Sequence, residues 1–184
     1  MMSKAPSIDV HSHFCPHTFL DLINKQGDRY SVSCSFENSA GPVIVMNGHS
    51  LLPLEQRFID LEARLHSMDD QGVDMHALSL TMPMVYWASP DLSRQLSEAF
   101  NDACVAAHEQ YPDRFVGLAM LPMQEPGLAL AELERVADHP AIRGVYMATR
   151  IRERELSDPA FFDVYERIED LGLTIFLHPV TVVD

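Results

Sequence analysis

Asp158-Pro159-Ala160-Phe161-Phe162-Asp163-Val164-Tyr165-Glu166-Arg167-Ile168-Glu169-Asp170-Leu171-Gly172-Leu173-Thr174-Ile175-Phe176-Leu177-His178-Pro179 is the stretch that decides how the 184-residue chain folds. Asp158 precedes a first-turn proline, the arrangement of an N-cap followed by a residue whose missing N–H costs nothing there. An amphipathic pattern then runs over residues 159–171 and halts at Gly172, where a left-handed C-cap belongs. Residues 173–177 form a short apolar run of strand length, ended by His178-Pro179. A helix feeding a short buried strand is one half of a parallel α/β unit.

The same alternation recurs towards the N-terminus. Strands are predicted over residues 7–11, 76–80, 115–120, 144–148 and 173–177, and helices over 18–26, 54–71, 89–111, 127–137 and 159–171. Ser89-Pro90 repeats the cap of Asp158-Pro159, and Gly72 repeats Gly172. Residues 28–53 break the pattern: an alternating run from Tyr30 to Phe36, a turn at Asn38-Ser39-Ala40-Gly41-Pro42 and a second run at Val43-Ile44-Val45-Met46 predict a hairpin inserted after the first strand. With no repeat or low-complexity tract, residues 1–184 are expected to form a single domain. Parallel units of this kind build either an open doubly wound sheet or a closed (β/α)8 barrel, and period alone leaves both open. A barrel takes about 250 residues, whereas five units occupy this whole length.

Charge excludes several partners. Lys and Arg number 13 against 27 Asp and Glu, a formal net charge of -14, and the cations are scattered singly. Nucleic acid and anionic membrane surfaces both require a basic stripe, so neither is an expected partner. The start, from Met1 to Ser7, has no basic segment followed by an apolar one, and no run approaches a membrane span. Cys15, Cys34 and Cys104 form no CxxC pair and leave an odd count, so no disulfide framework is expected and the cytoplasm is the expected compartment.

Candidate chemistry sits at the strand ends. In Asp9-Val10-His11-Ser12-His13-Phe14, strict alternation places Asp9, His11 and His13 on one face. Two convergent imidazoles suit Zn²⁺, which takes neutral histidine nitrogens at about 2.0 to 2.1 Å. The pair alone reads equally as ordinary strand-end histidines, but it stands where parallel α/β folds place their active sites. His178 leaves the fifth strand in the same way and is a candidate third ligand, the ordinary alternative being a satisfied loop histidine. The loop after the second strand, Thr81-Met82-Pro83-Met84-Val85-Tyr86-Trp87, offers no acid or histidine, and the only lysines are Lys4 and Lys25. No carboxylated lysine can follow the fourth strand, so one metal is favoured over two. Met84, Tyr86 and Trp87 are read either as a pocket wall or as ordinary packing. Arg150 either grips a substrate carboxylate with its planar fork or pairs with Glu153 and Glu155.

Beyond these motifs, Met68-Asp69-Asp70-Gln71-Gly72-Val73, Ala77-Leu78-Ser79, Tyr86-Trp87-Ala88, Asn101-Asp102, Tyr111-Pro112-Asp113-Arg114-Phe115-Val116-Gly117, Leu121-Pro122-Met123-Gln124 and Phe176-Leu177-His178-Pro179 follow Asp9–Phe14 in order along the chain. With them the sequence resembles the amidohydrolase superfamily, in the branch typified by aminocarboxymuconate semialdehyde decarboxylase. The resemblance implies a distorted (β/α)8 TIM barrel, of which this chain covers about the first five β/α units. It also implies one divalent metal, usually zinc, held by His11, His13, His178 and an aspartate after the eighth strand. The acid-base histidine of the family follows the sixth strand, whereas this sequence stops after the fifth. That histidine is therefore expected beyond Asp184, and the catalytic residue is unknown. Family arginines that hold substrate carboxylates are expected on the inserted hairpin, yet nothing between Tyr30 and Gln56 is Arg or Lys. A less anionic acid, such as a hydroxybenzoate, fits better.

The activity implied is that of a metal-dependent decarboxylase, a carbon-carbon lyase acting on a small unsaturated or aromatic carboxylic acid. The metal would hold the acid, or a water of lowered pKa, while a proton reaches carbon and CO₂ leaves. Asp9 would orient the first-strand histidines from behind. The alternatives are a metal-dependent hydrolase of the same superfamily, or a catalytically silent fragment or subunit completed by a partner. A homo-oligomer, in the simplest case a dimer, is expected.

Overall fold

In the computed structural model, which describes residues 5–51 and 53–179, the chain alternates strand and helix because neither can bury its apolar face alone. The elements, in order, are β1 (Ile8–His13), α1 (His17–Gln26), β2 (Val32–Ser35), β3 (Val43–Met46), β4 (His49–Ser50), α2 (Leu61–Gln71), β5 (Met75–Ser79), α3 (Pro90–Gln110), β6 (Phe115–Met120), α4 (Pro126–Val136), β7 (Ile142–Ala148), β8 (Arg150–Ile151), β9 (Arg154–Glu155), α5 (Phe162–Asp170) and β10 (Thr174–His178). The segment from Met1, read above for a leader, lies outside the described residues as far as residue 4. Residues 180–184 lie outside them as well, so the acid-base histidine expected beyond Asp184 falls on no described residue.

Five parallel strands form the main sheet in the order β1-β5-β6-β7-β10. That order decides between the two architectures left open by the sequence. A doubly wound sheet reverses its strand order at a switch point, whereas here each new strand is added on the same side as the last. With right-handed crossovers, strictly sequential addition puts every helix on one face and curls the sheet around the other. The fold is therefore the first part of a TIM barrel.

Packing between the layers is close. Along α3, Leu92, Leu96, Phe100, Cys104 and Ala107 are buried at helical spacing. A Cβ at Gly117 would lie 2.7 Å from the Cβ of Cys104, so only glycine lets α3 settle on β6. Asn101 ties the same helix to the sheet: its amide donates to the carbonyl of Met120 and its side-chain oxygen accepts from the Met120 N–H. Cys15, Cys34 and Cys104 are buried free thiols. Among the described residues, no helix is long and apolar enough to cross a membrane.

Three local features differ from the sequence expectation. The second helix begins at Leu61 rather than residue 54, because a 3₁₀ turn occupies Gln56–Phe58 and the Asp60 carboxylate caps the Ala63 N–H at 2.8 Å. Asp158 likewise caps a 3₁₀ turn, Pro159–Phe161, and α5 starts only at Phe162. The inserted segment is a three-stranded antiparallel sheet, β2-β3-β4, and not a single hairpin. Asn47 and Gly48 both have positive φ, 52° and 77°, and reverse the chain into β4. Asn-Gly is a strong hairpin signal, overlooked because the two-residue strand that follows it is too short to show alternation.

Candidate metal centre

β1 and β10 lie at opposite edges of the main sheet. Four inter-strand gaps would separate them by about 19 Å if the sheet were flat. The curl instead brings their side chains together in the interior. Ring centroids of His11 and His178 are 5.4 Å apart, those of His13 and His178 also 5.4 Å, and those of His11 and His13 4.7 Å. The Nε2 atoms of His11 and His13 are 3.0 Å apart, and each of the three histidines offers a nitrogen within 4.8 Å of the others. No other group of three His, Cys, Asp or Glu side chains among the described residues has this geometry.

Burial favours the neutral, ligating form of two of these rings, His13 and His178. Burial, followed by the neighbouring His11 and His178, pushes the His13 imidazole down to about 4. His178 is shifted down as well, by burial and then by His11. On its far side His13 presents Nδ1 to the Ser79 hydroxyl at 3.3 Å, a contact that orients the ring. The Nδ1 of His178 is buried without a hydrogen-bond partner. Three imidazoles gathered in one place, one with an orphaned nitrogen, are a donor set that fits a borderline divalent ion.

Behind β1 lies a second polar group. The pairing of β1 with β5 slips between Asp9 and Ser12, where three residue steps on β1 match two on β5. Strict alternation is lost at this bulge, and Asp9 does not share the face of His11 and His13 as expected. Its carboxylate accepts the His11 backbone N–H at 2.9 Å and faces His76 Nε2 at 3.9 Å. Ser12 Oγ is 2.7 Å from His76 Nδ1, and the buried Arg64 guanidinium donates to Ser12 Oγ at 2.5 Å. Arg64 also donates to the His13 carbonyl oxygen and stacks over the Phe14 ring. Burial, then the Arg64 charge, holds the His76 ring down to about 4. The sequence reading gives His76 and Arg64 no role: neither belongs to a motif, and only the bulge together with the packing of α2 brings them to β1.

Of the remaining sequence candidates, Met84, Tyr86 and Trp87 do not line the cavity beside His13. Met84 and Tyr86 are buried, and the Trp87 indole donates to the Met84 carbonyl oxygen at 3.0 Å while packing edge-on against Tyr30 at 5.7 Å. The loop after β5 folds back on itself, tied down by Arg152, which donates to the carbonyls of Tyr86 and Ala88 at 2.6 Å each. The cavity that opens beside His13, of about 620 Å³, takes only Thr81 and Met82 from that loop. Ile44, Leu51, Leu54 and Phe58 form its other apolar walls, so the inserted sheet and the segment after it supply most of the lining. Arg150 takes the second of the two readings given for it: it forms ion pairs with Glu155 at 3.5 Å and Glu153 at 3.8 Å. Tyr146, absent from the sequence reading, stands in β7 with its ring 5.5 Å from that of His178, and its buried hydroxyl has no hydrogen-bond partner. A tyrosine inside a strand carries no signal that separates a site residue from packing.

Comparison with known proteins places this geometry. The family model described as amidohydrolase matches residues 8–183. The 2-amino-3-carboxymuconate-6-semialdehyde decarboxylase of Dictyostelium discoideum is 29% identical over 178 residues, covering 96% of this chain and 49% of the relative. The gamma-resorcylate decarboxylase of Rhizobium radiobacter is 28% identical over 161 residues, covering 83% and 48%. The crystal structure of 5-carboxyvanillate decarboxylase from Novosphingobium aromaticivorans, complexed with manganese and 4-hydroxy-3-methoxy-5-nitrobenzoic acid, superimposes with a TM-score of 0.78 at 23% identity, over 100% of this chain and 53% of that one. The chain thus spans about half the length of the relatives it matches.

Proposed function

The chain belongs to the amidohydrolase family, and from that premise we propose that it provides the metal-binding half of a divalent-metal-dependent decarboxylase acting on a small aromatic or unsaturated carboxylic acid. The convergence of His11, His13 and His178 from the two outer strands carries this reading. These three residues would hold the ion. When bound there, a divalent ion supplies Lewis-acid charge that anchors a carboxylate or an ortho hydroxyl and stabilises negative charge developing on the substrate. Zinc is our reading of the metal, since a set of three histidine nitrogens suits it. Manganese, present in the similar decarboxylase structure, is the competing choice to be measured.

The chain's own residues shape the rest of the site. Ser79 orients His13 and keeps its ligating nitrogen towards the interior. Ile44, Leu51, Leu54, Phe58 and Met82 form a wall that accepts a flat ring and excludes water, which strengthens every polar contact to the acid. No Arg or Lys stands between Tyr30 and Gln56, and Arg57 is already paired with Glu55 at 2.9 Å. A second substrate carboxylate would find no free cation on this wall, which supports a monocarboxylic hydroxybenzoate. Three buried free thiols support a reducing compartment, the cytoplasm. Ile8 and Val10 on β1 and Leu177 on β10 are about half exposed, and these apolar side chains on both outer strands support further protein packing, including a homodimer.

The test is product analysis. The full-length protein, stripped and reloaded separately with Zn²⁺ and Mn²⁺, is incubated with 2,6-dihydroxybenzoate and with a muconate semialdehyde. Release of CO₂ from the hydroxybenzoate, dependent on metal, is the expected result. A product that gains oxygen from water would replace decarboxylation by hydrolysis.

A further inference from the structure

The polar groups behind β1 form a ring around one tripeptide, His11-Ser12-His13. At its C-terminal end Arg64 donates to the His13 carbonyl oxygen. In the middle the same guanidinium donates to Ser12 Oγ at 2.5 Å, and that hydroxyl meets His76 Nδ1 at 2.7 Å. At the N-terminal end His76 Nε2 faces the Asp9 carboxylate at 3.9 Å, and Asp9 accepts the His11 N–H at 2.9 Å. Apart from the His76–Asp9 contact, each of these links is to the backbone of His11 or His13 or to the residue between them; none is to the rings of those two histidines. The ring of contacts encloses the register slip between Asp9 and Ser12.

A bulge is a costly place to hold two ligands 3.0 Å apart, because the ladder that would fix the backbone is interrupted there. Arg64 offers what the ladder lacks. Its planar fork reaches two acceptors at once, and it is nearly fully buried against Phe14, so it cannot relax into water. A buried arginine with no carboxylate in direct contact is expensive, the more so with its Nε unpartnered, so its two terminal nitrogens must be well used. We propose that Arg64 is a positioning residue of the metal centre: through Ser12 and the His13 carbonyl it fixes the bulged backbone so that His11 and His13 present their ligating nitrogens together, with His76 and Asp9 closing the ring. This rests on the metal reading above.

The experiment uses the full-length protein and metal alone. Zn²⁺ affinity is measured by competition with a chromophoric chelator, and the d–d absorption of the Co²⁺-loaded protein reports ligand geometry. Arg64→Met should weaken Zn²⁺ binding by about 10- to 100-fold, the range typical of partners that orient ligands from outside, and should change the Co²⁺ spectrum. Arg64→Lys keeps the charge but not the fork, so it should recover only part of the affinity. Ser12→Ala removes a single hydroxyl at the centre of the ring and keeps the test open if Arg64→Met fails to fold. It should cost about 10-fold and shift the spectrum in the same direction. Wild-type affinity and an unchanged Co²⁺ spectrum in folded Ser12→Ala and Arg64→Lys would overturn the proposal and leave the metal reading standing. Metal uptake by the His13→Ala variant equal to that of the wild type would instead overturn the metal reading, and the proposal with it.

Discussion

The two outer strands of the curved sheet both end in a histidine of the candidate centre, but they hold it differently. On β1, the backbone of His11 and His13 is gripped by Asp9 and Arg64, and the His13 ring is oriented by Ser79. On β10, His178 keeps regular register with Ala148 of β7, but its Nδ1 is buried without a partner. One side of the site is therefore braced by side chains before a ligand arrives, while the other rests mainly on the ladder. The difference shows that a site built across a sheet need not be equally organised at both edges. A bulge on one edge calls for side-chain bracing; an unbroken ladder on the other does not.

The comparison breaks most sharply at the ligands themselves. His13→Ala should lower metal affinity by more than the about 100-fold that an orienting partner controls, and by more than His178→Ala, which leaves the braced pair 3.0 Å apart. Equilibrium dialysis against Zn²⁺ gives both values; a larger loss for His178→Ala would reverse the assignment of the prepared side. The pH dependence of the metal-free protein comes next. The unfolded chain protonates its histidines near 6.5, whereas folded His76 resists protonation down to about 4, chiefly because it is buried. Between those values the unfolded state binds more protons, so stability falls as pH drops from 6.5 towards 4. We predict that His76→Gln flattens this slope in thermal unfolding more than His178→Gln does. Equal slopes in the two variants would remove the electrostatic distinction between the polar group behind β1 and the end of β10.

A smaller effect is expected at Ser79. Ser79→Ala frees the His13 Nδ1 from a contact of 3.3 Å and should weaken metal binding by about 10-fold without lowering the melting temperature. A drop in stability with unchanged affinity would make the contact structural. The smallest effect belongs to a residue at neither edge. Trp87→Phe removes the indole donor to Met84 and should cost about 1 kcal/mol in denaturant unfolding, with KM unchanged in an active full-length enzyme. A raised KM would return Trp87 to the substrate wall.

Much of the candidate site was legible from residue order. His11, His13 and His178 stand at the ends of β-type runs, and strand ends are where parallel α/β folds concentrate chemistry. Parity misled at Asp9, because alternation holds only where the ladder is regular and nothing local in Asp9-Val10-His11 announces a bulge. The loop from Thr81 to Trp87 misled for a related reason. Its place after a strand suggested a pocket wall, but whether an aromatic faces a cavity or the core depends on which neighbours arrive, here Tyr30 and Arg152.

Local patterning alone determined the five strand-helix units, their caps at Ser89 and Gly72, and the presence of histidines at both ends of the sheet. Those features depend on neighbours within a few residues, so sequence carries them directly. The tertiary structure alone decided that the strands add in sequential order, that the resulting curl brings β1 and β10 from about 19 Å to contact distance between side chains, and that Arg64, His76 and Ser12 meet behind the bulge. Those outcomes depend on contacts between residues as many as 167 positions apart, as with His11 and His178, and a long-range contact leaves no periodic trace in the segments that make it.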